Sequence, residues 1–189
     1  MHPQLTRLVG DYDAAHARLH AVAGRLTPGE AADRRDSGRW SVAENVAHLN
    51  LTSAAFLPAL ENGLEEASRL GGDARTRYRR DAMGWLFTMI VGPQPRIGRL
   101  RLGSVKTPRP FVPDGGARID ELLAEFDRLQ SALVDLITAS DERPIDQVYV
   151  ESPFSRRVRY NMFSAFLMIP RHQLRHIHQC EWLWADPPR

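Results

Sequence analysis

Apolar residues recur at helical spacing from the start of the chain. Leu5, Leu8, Val9, Tyr12, Ala15, Leu19, Val22 and Leu26 follow a period near 3.6. That predicts an amphipathic helix over residues 3–26, with Pro3 suited to its first turn. The polar stretch TPGEAADRRDSGR then breaks the pattern, opening on a short capped turn at Thr27. A second helix begins at WSVAENVAHL, where Ser41 and Glu44 form a capping box. The serine side chain takes an orphan backbone N–H and the glutamate reaches back to the cap. Val42, Val46, Leu49, Leu57, Leu60 and Leu64 line one face of this helix, while Leu51, Ala55 and Ala59 cover much of the other. A helix apolar on two sides is sandwiched between neighbours. His48 lies on the second side and is expected to point into protein.

GGDARTRYRR, residues 71–80, is a polar break, and DAMGWLFTMIV, residues 81–91, predicts a short third helix. Residues 92–116 are rich in proline and glycine and read as a long loop, a feature often tied to function. The stripe of Ile119, Leu122, Leu123, Phe126, Leu129, Leu133, Leu136 and Ile137 predicts a helix over 117–139. VYVES and RRVRY predict two short strands. Asn161 can cap a last helix running from Met162 to about Trp184, which Pro170 is expected to kink or divide by removing one backbone hydrogen bond. Four long helices and one shorter one predict an all-α protein. The architecture expected is an up-down four-helix bundle with an additional short helix and a long proline-rich loop, built as one domain over residues 1–189.

Composition narrows the function classes. With 43% apolar and 25% charged residues the chain is ordinary for a globular protein. The net charge of +2 is too small for a nucleic-acid footprint, although RTRYRR and SRRVRY interleave arginine with tyrosine. No nucleic-acid partner is expected. Cys180 is the single cysteine, so an intramolecular disulfide and a cysteine-rich zinc module are excluded. The N-terminal residues do not read as a signal peptide. The apolar runs fall far short of the roughly 20 residues a membrane span needs. A soluble, cytoplasmic protein without a membrane partner is expected.

The candidate chemistry lies in RHQLRHIHQCEWLW. His172 and His176 are four apart, so they stack on one helix face, and Gln179 continues that side. Two neutral imidazoles at this spacing can grip a zinc, nickel, iron or copper ion. The motif is short, and His16 and His20 repeat it in the first helix, at the edge of an apolar stripe, where they read as boundary or surface residues. A third ligand must come from elsewhere. His48 is the natural candidate, although a lone histidine there is more often a satisfied core residue. His178 points elsewhere. Cys180 reads as buried packing rather than a nucleophile.

In order and separation, WSVAENVAHL (40–49), KTPRPFVP (106–113) and RHQLRHIHQ (171–179) resemble motifs of the DinB/YfiT-like superfamily of metal-dependent four-helix bundles. The first resembles its Trp-Ser-x-x-Glu-x-x-x-His-Leu segment. The last resembles its His-x-x-x-His-x-x-Gln segment, and the match covers nearly the whole chain. The resemblance implies a metal site made of His48, His172 and His176, with zinc or nickel as the expected ion. Three protein ligands leave a position open for water or substrate. Glu44 and Gln179 are candidates to support the site, Glu44 as acceptor of the His48 ring N–H and Gln179 beside a bound water. The resemblance further implies activation of a thiol or water, as in thiol transfer from a low-molecular-weight thiol, isomerisation of maleylpyruvate, or hydrolysis. The small-molecule substrate and the catalytic residues stay open, with Arg109 of the loop able to hold an anion. The alternative is a non-catalytic dimerisation or interaction module with a vestigial or structural metal site, anchored by Trp182 and Trp184. A homodimer is expected and is compatible with both.

Overall fold

The computed structural model describes residues 1–36, 38–71, 76–93, 96–97, 100–101 and 107–185. Helix α1 spans Pro3–Ala23 and α2 Pro28–Ala32, with Thr27 and Glu30 closing a capping box around the latter. Helix α3 runs from Val42 to Leu70 behind the Ser41–Glu44 box, and α4 from Ala82 to Val91 behind the Asp81 cap. Helices α5 (Ile119–Ala139) and α6 (Met162–Ala185) complete the set. Asn161 caps α6, its Oδ1 accepting the Ser164 N–H at 2.9 Å. The fold is all-α, and among the described residues strands occur only in two small antiparallel ladders. Among the described residues, no helix is long and apolar enough to cross a membrane.

The 92–116 stretch is not wholly irregular. It holds a ladder between β1 (Arg96–Ile97) and β2 (Leu100–Arg101), then a 3-10 turn at Arg109–Phe111. Residues 94–95, 98–99 and 102–106 of that loop lie outside the described residues, as do residues 72–75 of the earlier polar break. The two predicted strands form a hairpin of β3 (Tyr149–Ser152) and β4 (Ser155–Asn161), with Val150 opposite Tyr160.

Helix α1 packs against α5 and α6, and α3 packs against the same two. Leu5, Leu8, Tyr12, Leu60, Leu133, Ile137, Phe163 and Phe166 belong to one buried cluster; Leu19, Val46, Leu49, Phe126, Ile177 and Cys180 belong to another. Helix α4 lies across α6 at Gly84, where any side chain would collide with Ser164. Burying these apolar stripes supplies most of the stability of such helices. Leu51, on the second apolar side of α3, departs from the sandwich expectation. It is 40% exposed, because the flank it faces is an open cavity rather than a helix.

Pro170 does not divide α6, which continues from Met162 through the whole histidine segment. Proline lacks the N–H that would bond the carbonyl four residues back, that of Phe166. The Phe166 carbonyl instead accepts the buried Tyr12 hydroxyl of α1 at 3.1 Å. The partner lost within the helix is thus replaced across the helix–helix interface, and the face carrying His172 and His176 is delivered intact.

Candidate metal centre

Helix α3 presents His48 and α6 presents His172 and His176, and the three rings converge. Ring centroids lie 4.5 Å apart for His48 and His176, 4.7 Å for His172 and His176, and 5.1 Å for His48 and His172. One nitrogen from each ring falls within 4.8 Å of the others. His48 and His176 are 3% and 7% exposed, with His172 partly buried beside them.

Hydrogen bonding sets two of the tautomers. His48 Nδ1 lies 2.7 Å from the Phe111 carbonyl oxygen, which can only accept, so Nδ1 carries the proton. His176 Nδ1 lies 2.9 Å from Asn45 Oδ1. The Asn45 amide nitrogen donates to the Trp40 and Ser41 carbonyls, which identifies Oδ1 as the acceptor and His176 Nδ1 as the donor. With Nδ1 as the donor, the neutral form of each ring carries its lone pair on Nε2, the arrangement in which a backbone or amide oxygen orients a ligating histidine.

Burial lowers the pKa of His48 and of His172 and so favours their neutral forms. Desolvation lowers the His48 pKa against the Phe111 hydrogen bond, which raises it. Desolvation, reinforced by the Arg175 charge and by the repulsion that a protonated His48 would add, pushes His172 down to about 3. His48 Nε2 and His172 Nε2 stand 3.3 Å apart. Two nitrogens bound at about 2.05 Å to one tetrahedral ion would stand roughly 3.3–3.4 Å apart. The donor set therefore fits a divalent transition ion. Its imidazoles suit zinc, nickel, iron or copper alike.

A cleft of about 410 Å³ opens on the triad. Trp40 covers one side, with its ring 4.9 Å from His48 and 6.0 Å from His176, and Phe154 of the hairpin stands 6.4 Å from His172. Arg39, Arg175 and Gln179 supply polar groups to its wall. Gln179 thus stands where the helical spacing puts it. Glu44 does not reach the ring it was weighed against. Its carboxylate accepts the Ser41 N–H and pairs with Arg34, which holds its pKa below the usual range, and it faces a separate cavity. Helical geometry explains this: the capping hydrogen bond pulls Glu44 back toward the helix start, while His48 points at the loop.

Other candidates fall outside the centre. Arg109 is exposed, while Thr107 and Pro108 of the same loop line the cleft. Cys180 is buried and its thiol is pushed up to about 12 by desolvation, which suits packing and not nucleophilic attack. Trp182 and Trp184 lie under Arg39 and Arg35 in cation–π contacts. His16 and His20 lie apart, paired with Asp127. Asn45, Trp40, Phe111 and Arg175 escaped the sequence reading. Trp40 and Phe111 stood inside the quoted WSVAENVAHL and KTPRPFVP segments, and Asn45 stands three residues before His48 on the same helix.

Comparison with known proteins agrees with this geometry. Neither the curated proteins nor the solved structures compared with the chain yielded a match. The family model of the DinB superfamily matches residues 11–180, which carry both histidine segments and the loop between them. With that match over nearly its full length, the chain belongs to the DinB superfamily.

Proposed function

We propose that this protein is a metal-dependent enzyme in which His48, His172 and His176 hold a divalent ion, zinc or nickel, beside a small-molecule site. The observation that carries the reading is the convergence of three imidazoles, two with proton positions dictated by Phe111 and Asn45, at the floor of an accessible cleft. A bound ion would bring a coordinated thiol or water toward a nucleophilic form near neutral pH. The chain's own groups bind and orient. Trp40 and Phe154 offer apolar walls, and Gln179 can hydrogen-bond the bound group. Arg39 and Arg175 favour a substrate or thiol bearing an acidic function. Thiol transfer from a low-molecular-weight thiol fits these features, and hydrolysis is the competing chemistry.

The alternative is a non-catalytic dimerisation or interaction module with a vestigial or structural metal site. It is favoured by the outward apolar face of α4, where Met83, Trp85, Leu86 and Met89 are each at least 40% exposed. That face also suits a homodimer, which is compatible with catalysis. The two readings separate in one experiment. Tag-free protein is assayed for bound metal, then for consumption of an electrophile with acidic low-molecular-weight thiols. Stoichiometric metal with turnover that disappears in His48→Ala supports the enzyme. Metal without turnover of any thiol or ester favours the module with a structural metal, and failure to bind any divalent ion defeats the enzyme and leaves the module with a vestigial site.

A further inference from the structure

We infer that His16, His20 and Asp127 form a second, solvent-facing site for a divalent transition-metal ion, independent of the buried triad. Helix α1 places His16 and His20 one turn apart on the same side, and their ring centroids lie 4.5 Å apart. Asp127 comes from α5, which packs directly on α1. Both imidazoles meet a single carboxylate oxygen. Asp127 Oδ1 lies 2.8 Å from His16 Nε2 and 2.6 Å from His20 Nε2. The three donor atoms all fall within 4.8 Å of one another.

This is a two-histidine, one-carboxylate donor set on two packed helices. The side chains keep 40%, 34% and 45% of their surface, so water can complete the coordination. The scaffold beneath is rigid. Ala15 and Leu19, beside the two histidines, are fully buried, and the Phe126 ring lies parallel to His16 at 6.2 Å. Without an ion, the carboxylate oxygen gathers N–H donors. With one, each Nε2 loses its proton to solvent, Nδ1 holds the proton of the neutral ring, the Nε2 lone pair is directed inward, and the carboxylate turns from acceptor to ligand. Only small side-chain movement is required, because ligand–metal bonds of about 2.0–2.2 Å span donors already this close. The ion would staple α1 to α5. It should bind at least about tenfold more weakly than at the triad, since these ligands are hydrated and must break existing hydrogen bonds.

The test uses the full-length, tag-free protein, stripped with a chelator and titrated with zinc by calorimetry and equilibrium dialysis. Two classes of site are expected, one equivalent each. Asp127→Asn and His20→Ala should abolish the weaker class and its thermal stabilisation while keeping the tight one. His48→Ala should do the reverse, so failure of the triad reading and failure of this one give different isotherms. A single equivalent at saturating zinc that is lost in His48→Ala overturns the inference, and so does a weaker class that persists in both Asp127→Asn and His20→Ala. Should His20→Ala unfold, His20→Gln in the same titration decides.

Discussion

Two pairs of histidines in this chain share a spacing and differ in almost everything else. His172 and His176 on α6 and His16 and His20 on α1 are each one helical turn apart. The α6 pair meets a third imidazole under a tryptophan, with burial lowering the pKa of His172 and an asparagine setting the tautomer of His176. The α1 pair meets one carboxylate in contact with water. Spacing within a helix puts two side chains on one face. What those side chains become is decided by the element packed opposite: α3 with His48 in one case, α5 with Asp127 in the other.

The comparison can be broken most forcefully at the ligands. His48→Ala or His176→Ala should weaken the tight metal class by at least about 100-fold, more than an outer-shell change achieves, while far-UV circular dichroism keeps its helical signal. Acid tests the same contrast in the metal-stripped protein. Because folding lowers the pKa of His48 and of His172, the unfolded chain binds more protons as pH falls. The contribution is fully present above the ordinary histidine value of 6.5 and is lost as pH drops from there toward 3. Denaturant midpoints across that range should fall, and His172→Asn should flatten the slope.

Next in size are the supports. Asn45→Ala removes the acceptor that orients His176, and metal affinity measured by competition should drop about 10- to 100-fold. Tyr12→Phe leaves the Phe166 carbonyl without its partner above Pro170 and should cost about 1–3 kcal/mol in urea unfolding. If it costs nothing, another group satisfies that carbonyl. The smallest effect on the tight site is expected from His16→Ala, which should leave triad affinity unchanged within error. A loss there would show that the two sites are coupled through α1.

Much of the architecture was readable along the chain. The 3.6-residue period marked every long helix, and Ser41–Glu44 and Asn161 marked two starts, because these signals depend on neighbours within one turn. The periodicity of α1 ran to Leu26, whereas the helix ends at Ala23, with Leu26 packing after the turn. The same apolar residue serves either state. Pro170 was readable as a lost hydrogen bond but not as a repaired one, since its repair comes from Tyr12, far away in sequence. Glu44 illustrates the opposite case. One residue had two local roles open to it, and Arg34 together with the cap drew it away from the metal centre.

By itself the sequence determined which residues were able to act: a same-face pair at 172 and 176, an inward histidine at 48, and helices long enough to carry them. Only the tertiary structure decided that the Phe111 carbonyl would orient His48, that Asn45 would orient His176, and that His16 and His20 would share Asp127. The physical reason is range. Helix formation and capping are settled by groups a few residues apart, whereas proton position, desolvation and ligand geometry depend on atoms brought together by packing from distant parts of the chain.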